Sequence, residues 1–341
     1  MKKCYTYDDV NIVPKFSEIS SRGNIDISTR FTKNTKLRIP IVSSPMDTIT
    51  ESEMAKDLMT RGGVGIIHRF MSIEEQAGNV DSVLKFRHEH HDGLPICAAV
   101  GVKDDYIERA QELVEKGCDV LLIDVAHGHH RLVGEAINEI KKNIQGVEVV
   151  AGNIATREGA TYLCEKGADG IRAGIGNGSL CETRIRTGVG IPQVSALIDI
   201  SNECDKYGIP VIADGGVRYI GDVCKGLACG ADSVMLGSLL SGTKETPGEI
   251  QKVGSWPNEQ LFKKYRGSAS RDSKGSDKNV EGNHKVIPYK GKAFRILSDI
   301  TDGIRSSFSY VGANNISEYH GKVEFVEVTQ AGVIEAKPHL L

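Results

Sequence analysis

The sequence predicts an α/β fold, a single (β/α)8 TIM barrel, and three observations carry that expectation. Eight short β-prone apolar runs recur along the 341 residues, helical patterns lie between most of them, and surplus length follows two of the runs. Parallel strands need a crossover connection, usually a helix, and eight strand–helix units in series can close into a barrel. A doubly wound sheet is the alternative, weakened because no Gly-x-Gly-x-x-Gly opens a helix after the first run.

Taken in order, the runs are residues 41–44, 64–67, 96–100, 120–125, 147–151, 170–174, 210–213 and 233–236. Each ends in a Gly, Asp, Asn, His or Ser turn, the residues that stop a strand. Helical patterns cover 106–115, 132–142, 157–166 and 221–227. About forty residues separate the starts of strands six and seven, and a long polar segment near 255–295 follows strand eight. Surplus length after a barrel strand falls on the face that carries chemistry. Both stretches are candidates for catalytic loops.

Composition narrows the function classes. Charged residues are 26% and hydrophobic residues 40%, as in an ordinary globular enzyme. The net charge is -3 with basic residues scattered, which leaves no electrostatic footprint for a nucleic-acid partner. Apolar runs are far too short for a membrane span. Met1-Lys2-Lys3-Cys4-Tyr5 leads into polar residues rather than an apolar leader core. Eight cysteines without a CxxC pair read as free thiols in a reducing cytoplasm.

The loop after strand six reads Gly174-Ile175-Gly176-Asn177-Gly178-Ser179-Leu180-Cys181-Glu182-Thr183-Arg184. Its glycines allow sharp turns and bring amide groups close to an ion. A thiol near amide dipoles and an arginine tends toward the thiolate, which makes Cys181 a candidate nucleophile. The alternative, a buried packing cysteine, loses ground at the C-terminal end of a barrel strand. After strand seven comes Asp214-Gly215-Gly216, and after strand eight Gly237-Ser238. Barrels most often hold phosphate at these two loops. Asp214 would repel phosphate, so it is expected to accept hydrogen bonds from ribose hydroxyls.

These segments resemble the IMP dehydrogenase/GMP reductase family. The resemblance rests on 176–193, which includes Cys181-Glu182-Thr183-Arg184 and Thr187-Gly188-Val189-Gly190-Ile191-Pro192-Gln193. Tyr7-Asp8-Asp9-Val10, Ser43-Ser44-Pro45-Met46-Asp47-Thr48 and Ile212-Ala213-Asp214-Gly215-Gly216 follow the same pattern, as do Gly62-Gly63-Val64-Gly65-Ile66-Ile67-His68 and Met235-Leu236-Gly237-Ser238. The resemblance implies a purine mononucleotide substrate and a covalent Cys181 adduct at purine C2, with Thr183 in proton transfer. It implies substrate contacts at Ser44, Ser179, Asp214, Gly215, Gly216, Gly237, Ser238, Gly267, Ser268 and Gly282. Asp124, Val125 and Ala126 would lie near a nicotinamide. Carbonyls of Gly176, Gly178 and Cys181 would hold a monovalent cation, usually potassium, and the family is usually tetrameric. Two positions depart from the pattern: Asn177 stands where proline is usual, and Glu182 where threonine is frequent.

The family runs two reactions. One oxidises IMP with NAD and hydrolyses the adduct; the other reduces GMP to IMP with NADPH, releasing ammonia. The second is the expected one here, on three features. The family's regulatory insert would enter near 86–94, where the chain instead runs directly into strand three, so 1–341 is expected to form one catalytic barrel. The segment after strand eight, the family's flap, contains no Arg-Tyr pair to activate water; the chain's only one is Arg218-Tyr219. Instead Gly267-Ser268-Ala269-Ser270 and Asn279-Val280-Glu281-Gly282 resemble a bacterial reductase flap, implying Glu281 as the acid–base partner of Thr183. Ser21 and Arg22 resemble residues that reach the NADPH of a neighbouring subunit, and Arg69 could likewise meet its 2′-phosphate. Ser43-Ser44-Pro45-Met46 and the 330–339 tail look more like the dehydrogenases. IMP oxidation is the alternative, and a barrel that binds purine nucleotides without turnover is a distant third.

Overall fold

The computed structural model describes residues 1–254, 258–268, 270 and 281–336. Its centre is a closed barrel of eight parallel strands, as the spacing of apolar runs predicts. These are β1 (Ile41–Ser43), β2 (Val64–Ile67), β3 (Cys97–Val100), β4 (Val120–Asp124), β5 (Glu148–Ile154), β6 (Gly170–Ala173), β7 (Val211–Asp214) and β8 (Ser233–Leu236). They pair in chain order, and β8 returns to β1 with Met235 opposite Val42. Every residue of β4 is buried, because the lumen packing covers one face and helices the other.

Helices α1 (Ser52–Arg61), α2 (Ile73–Glu89), α3 (Tyr106–Glu115), α4 (Arg131–Asn143) and α5 (Arg157–Glu165) follow the first five strands. The ends are set locally. Ser72 and Glu75 form a reciprocal capping box at α2, and Thr156 caps α5 by accepting from the Gly159 amide. α1 approaches the barrel so closely that a Cβ on Gly65 would stand 2.7 Å from the Ala55 Cα.

The two surplus segments are structured. Between β6 and β7 lie α6 (Thr183–Thr187) and α7 (Gln193–Cys204). After α8 (Ile220–Ala228) and β8 comes an antiparallel sheet of β9 (Gln251–Val253), β10 (Gln260–Arg266) and β11 (His284–Pro288). α9 (Ala293–Val311) then packs on α8 and α1. Most strands fall within a residue of their expected bounds, and the largest departure is in the fifth, expected at 147–151: β5 continues to Ile154. Its pairing with β6 persists through a register shift between Gly152 and Ile154, an irregularity that absorbs two turn-like residues, Gly152 and Asn153. Among the described residues, no helix is long and apolar enough to cross a membrane.

Candidate active site

The C-terminal ends of the strands surround a cavity of about 460 Å3. β6 delivers the glycine loop onto its rim. Gly174 turns there with φ +141, and a Cβ on it would meet the Asp214 carbonyl at 2.0 Å, so glycine is required. The Gly216 amide donates to the Asn177 carbonyl at 2.8 Å, tying the loop after β6 to the loop after β7. The Asn177 side chain reaches Gln193 and receives Arg184. The residue that departs from the family's proline therefore links the loop to α6 and α7.

The far end of this loop is stitched to the flap like a short strand pair. Cys181 bridges Gly282 in antiparallel fashion. The Glu182 amide donates to the Glu281 carbonyl at 2.7 Å, and the Asn283 amide to the Leu180 carbonyl at 3.1 Å. Glu182, the second departure, accepts from the Asn283 side chain at 3.2 Å. This pairing brings Glu281 to Cys181 and Thr183, about a hundred positions earlier in the chain. Cys181 Sγ lies 3.1 Å from Thr183 Oγ1, and Thr183 donates to Glu281 Oε2 at 2.7 Å. With its proton directed at Glu281, Thr183 has a lone pair free to accept from the thiol.

All ten expected substrate residues line the same cavity. Ser44, Ser179, Asp214, Gly215, Gly216, Gly237, Ser238, Gly267, Ser268 and Gly282 do so, and so do Gly176, Gly178, Asp124, Val125, Ala126 and Arg69. Gly215 and Gly216 both have positive φ, +94 and +81. Ser179 shares a 3.0 Å hydrogen bond with the Tyr265 hydroxyl, whose pKa burial pushes up, so that it stays a donor. Arg69 donates to the Asp124 carbonyl at 3.3 Å and stacks over Phe70.

Ser21 and Arg22 are not brought to this cavity. Arg22 Nη1 donates to Ser306 Oγ at 2.9 Å and its guanidinium lies over Tyr310. Ala269, Asn279, Val280 and residues 337–339 of the tail lie outside the described residues. Arg218 is tied to Asp8 at 2.6 Å and to Asp222 at 3.5 Å, in the loop after β7. Among the described residues, no group of three His, Cys, Asp or Glu side chains could hold a metal ion. The carbonyl loop suits a monovalent cation only partly: the Gly178 carbonyl accepts the Cys181 amide, and Arg184 packs directly on Gly176.

Sequence reasoning missed Asn153, Arg172, Tyr265, Met46 and Phe70, all of which line the cavity. Arg172 left a signal, being a charge inside a strand whose neighbours are all buried. Asn153 was hidden by the turn-like look of Gly152-Asn153.

The family model described as IMP dehydrogenase / GMP reductase domain matches residues 4–339. An inosine-5′-monophosphate dehydrogenase from Cryptosporidium parvum is 38% identical, over 99% of this chain and 95% of its own. One from Nitrosopumilus maritimus is 33% identical, over 99% and 98%. Among solved structures, a Trypanosoma brucei GMP reductase variant in complex with guanosine 5′-monophosphate superposes with a TM-score of 0.92. It has 29% identity and covers 100% of this chain and 98% of that one.

Proposed function

The chain belongs to the IMP dehydrogenase/GMP reductase family, and from that premise we propose that it is a GMP reductase working through a covalent Cys181 adduct. The observation that carries this reading is the Cys181–Thr183–Glu281 relay, at 3.1 and 2.7 Å. A thiol must lose its proton to attack purine C2, and an amino group must gain one to depart as ammonia. One carboxylate acting through one hydroxyl can serve both transfers, since what it accepts in the first it returns in the second. When bound, the dinucleotide supplies the hydride that replaces the amino group. The residues that would hold it are Asp124, Arg69 and Phe70, a carboxylate, a guanidinium and an aromatic face at the end opposite the glycine loops. Such a set, one acceptor, one donor and one apolar face, fits an amide-bearing ring.

The rest of the site would bind and orient. Amides of Gly215 and Gly237 with Ser179, Ser238 and Tyr265 suit a phosphate, and Asp214 suits ribose hydroxyls. A monovalent cation at the Gly176, Gly178 and Cys181 carbonyls would stiffen the loop, and no step above depends on it. Exposed Ile185 (86%) and Val189 (60%) beside the catalytic loop suit burial in a homo-oligomer, for which we expect a tetramer. Eight unpaired cysteines suit a reducing cytoplasm. α2 ends at Glu89 and β3 begins at Cys97, which suits one catalytic barrel over 1–341 without an inserted domain.

A second reading is IMP dehydrogenase, and the sequence relatives favour it. Those named above are dehydrogenases that match 99% of this chain, and by name they back IMP oxidation with NAD better than GMP reduction. One mixture of the protein with GMP and NADPH and another with IMP and NAD separate the two. Loss of nicotinamide absorbance in the first alone supports the reductase; its appearance in the second alone assigns the dehydrogenase and rejects our reading.

A further inference from the structure

The floor of the cavity holds one charged group that the chemistry above does not use. Arg172, in β6 between Ile171 and Ala173, has only 7% of its surface exposed. Its Nη1 donates to Asp124 Oδ1 at 2.5 Å, and its Nε donates to Asp214 Oδ2 at 3.0 Å. Asn153 Nδ2 reinforces the second contact, donating to the same Oδ2 at 2.7 Å. Asp214 Oδ1 receives no donor from the described residues and is left for a ligand. The backbone makes room for this arrangement: a Cβ on Gly152 would meet the Arg172 carbonyl at 2.4 Å and its Cβ at 2.7 Å.

The charge count is instructive. Two carboxylates, from the ends of β4 and β7, share one buried cation that enters from β6 between them. A planar guanidinium can hold two carboxylates in fixed directions, which an ammonium cannot. Burial alone would lower its pKa, but Asp214 and Asp124 more than offset this, so it stays charged. A buried ion triad of this kind is poor evidence of added stability, because desolvation cancels much of the attraction. Its location offers a better account. Asp214 faces the glycine loops that suit a mononucleotide, while Asp124 faces Arg69 and the end that suits a dinucleotide.

We propose that Arg172 is a positioning residue that couples the two halves of the cavity, holding the ribose carboxylate and the cofactor-side carboxylate on one cation so that its loss weakens both ligands together. The proposal rests on the two-ligand reading given under Proposed function. Neither ligand need touch Arg172 for this to hold. Each carboxylate that accepts hydrogen bonds from its ligand is oriented by the same guanidinium, and freeing one alters the hold on the other.

The test is calorimetric titration of the full chain with GMP, IMP, NADPH and NAD, each alone. Wild type is compared with Arg172→Gln, Arg172→Lys and Asp124→Asn. For Arg172→Gln, affinity for the mononucleotide and the dinucleotide that wild type binds should each fall by about 30-fold or more, as when one partner of a buried charge pair is truncated. Arg172→Lys should recover part of both losses. The rate of Cys181 alkylation without ligand, read by peptide mass spectrometry, should stay within about twofold, which a collapse of the site would not allow. Loss of one ligand only, loss of neither, or a lysine variant no better than glutamine overturns the proposal. If Arg172→Gln does not fold, Asp124→Asn decides. It alters only the cofactor end, yet mononucleotide affinity should shift by at least about threefold, the lower range for residues in one ionic network. An unchanged mononucleotide affinity rejects coupling. If wild type binds no purine mononucleotide, the functional reading fails and the proposal with it; if wild type binds and the variants match it, only the proposal fails.

Discussion

In the proposed mechanism Cys181, Thr183 and Glu281 set the chemistry, and the first and last can be removed separately. Cys181→Ala should abolish turnover while leaving mononucleotide binding within a few-fold of wild type, checked by steady-state assay and calorimetry together. Most of the proposed phosphate and ribose contacts lie on loops after β7 and β8 that this change does not touch. Glu281→Gln keeps the shape of the 2.7 Å contact with Thr183 but removes its capacity to take a proton. It should slow turnover by about 100-fold to 10,000-fold, the range of one general acid–base group. Unchanged turnover would exclude the acid–base role. Cysteine reactivity offers a check that needs no substrate. Burial pushes the Cys118 thiol up to about 12 and the Cys97 thiol well above its usual value, so neither supplies thiolate at neutral pH. Brief alkylation of the native chain should therefore mark Cys4 and Cys181, both partly exposed, and spare the buried ones; peptide mapping reads the result.

At the scale of elements, close approach of helix to strand sets what the barrel tolerates. Gly65 lies where α1 meets β2, and the obstacle to a Cβ is the Ala55 backbone rather than a movable side chain. Gly65→Ala should therefore displace α1 and cost about 1–3 kcal/mol, as overpacking of a dense core does, seen as a lowered denaturation midpoint. α1 also carries Asp57, whose Oδ2 is buried without a hydrogen-bond partner among the described residues. Desolvation raises its carboxyl pKa, with Glu245 adding to the shift. A carboxyl whose folded pKa is raised prefers its proton in the folded state. Its favourable contribution is full below the unfolded pKa near 3.8 and is lost as pH rises through the folded value. Asp57→Asn should thus stabilise the fold at pH 7 by no more than about 1 kcal/mol after solvent screening, and not at pH 3.5. Paired thermal melts at the two pH values test the sign.

For the whole molecule, the barrel acts as a device for converging distant residues. Cys181 follows β6, Asp214 ends β7, Ser238 follows β8 and Glu281 lies before β11, yet all border one cavity. Closure of β8 onto β1 makes this convergence possible, since it leaves every strand's C-terminal end on one rim. The flap sheet completes the enclosure by pairing its return segment with the catalytic loop, so that Glu281 arrives with the backbone contacts of Glu182 already made.

The sequence by itself determined the barrel, because each strand declares itself locally through an apolar run ended by turn residues, and order along the chain fixes order around the closed sheet. It also determined the glycine loop and the thiol within it, since those residue types stand out against their neighbours, whereas the flap carboxylate was singled out only by the family resemblance. What only the tertiary structure decided is which of them meet. Three-dimensional closure put Glu281 one hydroxyl away from Cys181, and it left Ser21 and Arg22, expected to serve a neighbouring subunit, outside this chain's own cavity. It also extended β5 past its apparent turn to bring Asn153 to Asp214, and it drew Asp124 and Asp214 onto Arg172. Local pattern reports the conformation a segment prefers. The partner of a buried charge is chosen by strands that lie close together in the barrel but tens of residues apart in the chain, and no local pattern contains that choice.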